Sequence, residues 1–417
     1  MKKTIITTLL LSGVMLCSCE KPVQQEAPKE LTPDDQKLKI ERVTDEFMQH
    51  HDATSFSPII NLFNDCVSKY IDQNYDFGNL GDAFSEAEIL EYSSDDIGEF
   101  TRMSYLLSTL KGDLDMTGET GIFTASDKDM EAHFSIGADT YHLKFSCSGA
   151  FKKQNLGMIT SHIVYDTHCD IDRREFIIEM PEKLVIDIKK GSSDYASIEL
   201  VTDADFTETG IDYANDHCSV TVKITLPNNY TMLIHPAEID MKTHKGNLNF
   251  DLMQNEKNIL SLQATADVNF EVTDVDCGCD MGHQITKVVF DYAHNLEIST
   301  DILEEIQVKA SLKDIESLTN LKKVAIGEEK AAAERFNRDA EIGLYYDHND
   351  IKKADLLLDT FKVSPDSTEE DYRLMLVFTD ESQYLLDEYW TDDELQEFID
   401  FGESFVKLFQ SIRLING

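Results

Sequence analysis

Apolar residues along this chain change their spacing twice. From about Asp35 to Lys111 they recur near every third or fourth position. Ile40, Val43 and Phe47 mark one stripe, and Ile59, Leu62, Cys66 and Tyr70 mark a second, widened by Phe63 and Val67. Such spacing predicts amphipathic helices. Ser57-Pro58 reads as an N-cap followed by an N1 proline. A third helix is expected from Ser94, carrying Ile97, Phe100, Ser104 and Leu107. Gly112 to Gly121, rich in glycine and acid, then breaks the pattern.

The period next falls to two. Met130, Ala132, Phe134 and Ile136 alternate with polar neighbours, as do Tyr141, Leu143, Phe145 and Cys147 after a Gly-Ala-Asp-Thr turn. Leu184, Ile186 and Ile188, then Ile198 and Leu200, then Val220, Val222, Ile224 and Leu226 repeat this. Leu248, Phe250 and Leu252 follow. Leu260 to Phe270 forms the longest run, and Val289 to Leu312 a weaker one. Strict alternation predicts strands with one buried and one wet face, and the turn clusters between runs make most neighbours antiparallel.

From about Glu328 the spacing changes again. Glu328 to Ala340 reads as a helix with Ala332 and Phe336 inward. Leu344 to Val363 reads as a hairpin across Asp347-His348-Asn349-Asp350, and Arg373 to Leu386 as another. Thr391-Asp392-Asp393-Glu394 matches a capping box that opens a last helix, with Leu395, Phe398, Phe405 and Phe409 on one stripe. The expected class is α+β: a helical N-terminal segment (35–120), a large antiparallel β meander (121–325), open or half-barrel, and a small α+β C-terminal module (326–417).

Composition narrows the function. Of 417 residues, 79 are Asp or Glu against 37 Lys or Arg, a formal charge of −42. That excludes most nucleic-acid binders, which need a positive surface, and adhesion to anionic membranes through a basic patch. Mapped on the pattern, the acids fall on wet strand positions, turns and helix starts. They read as a solvated, self-repelling surface.

The first residues carry an address. Lys2 and Lys3 precede a short apolar core from Ile5 to Leu16, too short for a lasting membrane span. Leu16-Cys17-Ser18-Cys19 then resembles the bacterial lipobox. The resemblance implies a signal peptide at 1–18 and lipid attachment, palmitate included, at Cys19. Two lysines would leave with the leader, taking −42 to −44. Residues 19–34, polar and proline-bearing, read as a tether. The expected location is the cell envelope, at the outer membrane, reached through acyl chains that each gain about 0.8 kcal/mol per buried CH₂.

Candidate chemistry is sparse. Cys66 and Cys147 fall on apolar stripes and are expected to be buried thiols. Cys169, Cys218, Cys277 and Cys279, with His283, are expected in loops. Three readings stand for them: two disulfides, free thiols, or a thiolate/imidazole metal site. Cys277-Gly278-Cys279 is not the usual Cys-x2-Cys knuckle. Carboxylate pairs such as Asp113/Asp115 and Asp274/Asp276 are frequent, as 79 acids make inevitable, and read as solvated. Asp274 to Asp280 is no EF-hand, because Ile285 stands where a bidentate Glu belongs. No nucleophile elbow, zinc-protease motif, P-loop or dinucleotide fingerprint occurs. No catalytic residue and no cofactor are assigned. A ligand face, if the sheet has one, is expected at Val222, Ile224, Leu248, Phe250, Leu260 and Leu262.

The lipobox, the strand-rich middle and the segments Leu344-Tyr345-Tyr346-Asp347 and Phe378-Thr379-Asp380-Glu381-Ser382 resemble an uncharacterised family of gut Bacteroidetes lipoproteins. That resemblance implies an envelope lipoprotein and no reaction. The sheet with a lipid anchor is also similar, as a fold-level analogy, to lipid-carrier lipoproteins. The expected role is non-enzymatic binding of a hydrophobic ligand or protein partner. A carboxylate- or metal-dependent hydrolase and a structural or adhesive surface subunit are the alternatives.

Overall fold

The computed structural model describes residues 32–51, 54–80, 111–164, 169–204, 217–240, 242–276, 284–314, 321, 324–362 and 370–385. Three α-helices stand among them: α1 (Pro33–His50), α2 (Ser57–Cys66) and α3 (Glu329–Asp339). Sixteen strands make up most of the rest, in the order β16-β15-β14-β13-β12-β11-β10-β9-β8-β7-β6-β5-β4-β3-β1-β2. The expected α+β class is therefore overturned. The apolar stripes at Ile40/Val43/Phe47 and Ile59/Leu62 do form helices, but these are short, and what they accompany is mostly strand. Among the described residues the first strand, Lys111–Met116, runs into the stretch where glycine and acid predicted a break. The last described strands continue the sheet instead of forming a separate α+β module. The expected helices from Ser94 and Thr391 lie outside the described residues.

The chain divides into two compact units. The first holds α2, β1 (Lys111–Met116), β2 (Ile122–Asp129), β3 (Glu131–Ile136), β4 (Asp139–Val164), β5 (Cys169–Lys190), β6 (Ser193–Ala204), β7 (His217–Thr225) and most of β8 (Tyr230–Asp240). One pairing departs from the antiparallel expectation: β1 runs parallel to β3, Leu114 beside Ala132 and Met116 beside Phe134. Alternation sends Leu114, Phe123, Met130, Ala132 and Phe145 into one core with Leu80. α2 starts on Phe56 as N-cap with no side-chain cap, so Ser57 is its first residue and not its cap. Its Pro58 carbonyl instead accepts the Tyr195 hydroxyl at 2.9 Å.

β4 and β5, with 26 and 22 residues, far exceed the usual five or six. β3 accompanies β4 only to Lys144, and β6 accompanies β5 only from Lys183. Among the described residues the outer parts pair only with each other, as far as Val164 opposite Cys169.

The second unit holds α1, β9 (Lys245–Gln254), β10 (Lys257–Asp276), β11 (Gln284–Ile302), β12 (Ile306–Asp314), α3, β13 (Ala340–Tyr346), β14 (Ala354–Lys362), β15 (Glu370–Phe378) and β16 (Gln383–Leu385). It too carries an arm: among the described residues, β10 beyond Asp267 and β11 before His294 pair only with each other. α1 begins with a reciprocal capping box the sequence reading missed. The Asp35 N–H donates to Thr32 Oγ1 at 3.2 Å, and the Thr32 N–H to Asp35 Oδ2 at 3.2 Å. α3 lays Ala332, Ala333 and Phe336 onto Ala310, Leu312, Leu358 and Leu374.

Candidate functional site

The six residues expected to line a ligand face divide between the two units. Val222 and Ile224 lie on β7 in the first unit, opposite Leu200 and Ile198. Leu248, Phe250, Leu260 and Leu262 share one face of β9 and β10 in the second, with Phe250 opposite Leu262. Leu260 and Leu262 are buried, Phe250 is half-buried and Leu248 is 37% exposed. Of the expected metal ligands, Cys169 opens β5 and Cys218 is the second residue of β7, so both stand in strands, not loops. Cys277, Cys279 and His283 lie outside the described residues, as does Cys19. Cys66 and Cys147 are free, half-buried thiols. Burial pushes the Cys66 thiol up to about 12 and Cys147 upward, so neither favours thiolate chemistry.

Two polar constellations stand out in the second unit. The first is a band across the strands. Asp251, Ser261, Asp301 and Gln307 occupy directly facing positions on β9, β10, β11 and β12. Period two puts them on the side opposite Leu252, Leu260 and Ile302. Ser261 Oγ donates to Asp251 Oδ1 at 2.6 Å. Asp301, only 4% exposed, has one oxygen 3.2 Å from His348 Nδ1, while its other oxygen has no hydrogen-bond donor among the described residues. Burial is the main force pushing its carboxyl up to about 6. The His348 charge opposes it, the charges of Glu304 and Asp347 add to it, and a hydrogen bond from the Glu304 backbone opposes it.

Charged groups of α1 cross the same turns. Lys39 Nζ reaches Asp347 Oδ1 at 2.5 Å, and Arg42 takes Glu305 with both guanidinium nitrogens. The Arg42 guanidinium, by hydrogen bond first, holds Glu305 below the usual carboxylate range. Neither Asp301 nor His348 was singled out as chemistry by the sequence. Asp301 sits in a weak strand run and His348 in a turn, and only the fold places them together.

The second constellation is an open hollow of about 560 Å³ where the arm of β10 and β11 begins. Asp267, Asn269, His294 and Asn295 come from those two strands. Thr243 and His244 enter from the turn before β9, Lys245 from the first residue of β9, and Lys313 from the end of β12. Asp267, the one carboxylate of the lining, is held by Lys245 Nζ and by Asn295 Nδ2 at 2.7 Å, which lowers its pKa. Lys313 is exposed, and among the described residues no carboxylate pairs with it. No helix among the described residues is long and apolar enough to cross a membrane.

No family model matches the chain, and comparison with curated proteins and with solved structures finds no match.

Proposed function

We propose that the protein is a lipid-anchored component of the cell envelope that acts by binding, and that its ligand is polar and anionic, received in the hollow where β10 and β11 leave the other strands. The observation that carries this reading is the lining itself. In a chain of formal charge −42 it gathers two lysines and two histidines around one carboxylate, and that carboxylate is already taken up by Lys245 and Asn295. A local reversal of sign in a strongly acidic protein concentrates anions from solution. The volume falls within the range of small-molecule sites, roughly 300–1,000 Å³, but the walls are hydrogen-bonding rather than apolar. A hydrophobic occupant would instead need the Leu260–Leu262 stripe, which is buried. The lipobox around Cys19 and the resemblance to gut Bacteroidetes lipoproteins support the tether and the outer-membrane location.

Thermal unfolding of the mature protein against a panel of carboxylated, phosphorylated, neutral and apolar solutes tests the ligand class. An anionic member should raise Tm, since a ligand at about 100 times its Kd stabilises by roughly 2.7 kcal/mol. Lys313→Glu should abolish that rise. Stabilisation only by neutral or apolar solutes, unchanged in the variant, would refute the reading. The tether is tested separately: Cys19→Ser should abolish palmitate incorporation and release the protein from washed membranes. Unchanged lipid labelling and membrane retention of that variant would defeat it.

A further inference from the structure

The geometry points to a divalent transition-metal site on the wet face of the first unit, formed by Glu131 and His133 of β3 and His142 of β4. Neither the hollow nor the cysteines take part in it. On β3, Ala132 and Phe134 are buried, so Glu131 and His133 turn to the opposite side, two residues apart. The turn through Gly137, at φ +58°, sets the antiparallel register that brings His142 directly opposite His133. Their imidazole rings stack with centroids 4.4 Å apart and planes 2° from parallel. His142 Nε2 lies 3.0 Å from Glu131 Oε2.

One ligand atom from each of the three residues falls within 4.8 Å of the other two. Bonds of about 2.0–2.1 Å in a tetrahedral site set neighbouring ligand atoms about 3.3 Å apart, so binding requires the two rings to turn out of their stack until their lone pairs converge on one ion. The donor set of two imidazoles and one carboxylate suits zinc, copper(II) or nickel(II). Calcium and magnesium prefer all-oxygen sites. Asp113 of the parallel neighbour β1 approaches His133 Nε2 to 3.6 Å and offers a fourth ligand or an orienting acceptor. All three ligand residues are half-buried, so solvent reaches the remaining coordination position.

The test is zinc titration of the full mature protein after chelator treatment. One equivalent is expected to bind, and His133→Asn and His142→Asn should each weaken it at least tenfold. Replacing Cys169, Cys218, Cys277 and Cys279 by serine should leave it unchanged. Absence of stoichiometric binding, or binding that survives the histidine changes and vanishes with the cysteines, overturns the site. Cobalt(II) added to the unaltered protein decides the matter without any substitution. Ligand-field bands lacking thiolate-to-metal charge transfer are expected, and a thiolate band overturns the site.

Discussion

Truncating Phe336 to alanine is expected to destabilise the second unit by about 3–5 kcal/mol. Phe336 is 2% exposed and stands on the face of α3 that meets Ala310 and Leu312 of β12, Leu358 of β14 and Leu374 of β15. Its flanking partners Ala332, Ala333 and Ala340 are small and already in contact, so they have no reach to refill the space. The loss therefore combines transfer of the ring with a cavity that stays open. Urea unfolding should show a lower midpoint at unchanged slope. The exposed Glu334 on the same helix supplies the control, and its alanine variant should stay within about 0.5 kcal/mol of the parent. A Phe336→Ala cost below 1 kcal/mol would mean that α3 does not seal this core.

Asp301 should make stability depend on pH with an unusual sign. Most shifted carboxylates here, such as Glu305, Asp267 and Asp380, are held below their ordinary range, so their stabilisation is lost as acid protonates them. Asp301 is pushed the other way, to about 6 from an ordinary 3.8, chiefly by burial. Its folded form holds a proton more tightly than its unfolded form. Its contribution is fully present below about pH 4 and lost as pH rises through 6, at most about 3 kcal/mol by linkage. Asp301→Asn removes the titrating group. Between about pH 4 and 6 the parent should lose stability relative to this variant, seen as diverging urea midpoints. Parallel curves would show that His348 holds the carboxylate charged throughout.

Period-two patterning found most of the strands, because one buried face imposes it residue by residue. Leu248 to Leu252 and Leu260 to Leu262 are β9 and β10 as read, and Leu344 to Tyr346 opens the hairpin of β13 and β14. The class was misjudged because a short helix and a helical domain show the same stripe: Ile40, Val43 and Phe47 do not say that strands make up most of the described residues that follow. The parallel pairing of β1 with β3 left no signal, since alternation carries no direction. The candidate sites were legible only in part. Glu131 and His133 share a strand face by spacing alone, but His142 joins them through a register set by the turn at Gly137. Asp301 was hidden because nothing local reveals that a charged residue in a weak strand run is buried.

Two asparagines stand in for missing strands. The amide of Asn79 accepts from the Phe123 N–H and donates to the Phe123 carbonyl, both at 2.8 Å, on the outer flank of the edge strand β2. Asn337 does the same for Leu358, at 2.9 and 2.8 Å, where β14 has parted from β13 after two paired residues. Each amide uses both its oxygen and its nitrogen, so a change of either atom breaks the pairing. Deamidation exchanges the nitrogen donor for a second acceptor and sets a carboxylate against a backbone carbonyl. An aged molecule would keep its sequence length and most of its core, yet expose an adhesive flank that a fresh molecule keeps closed.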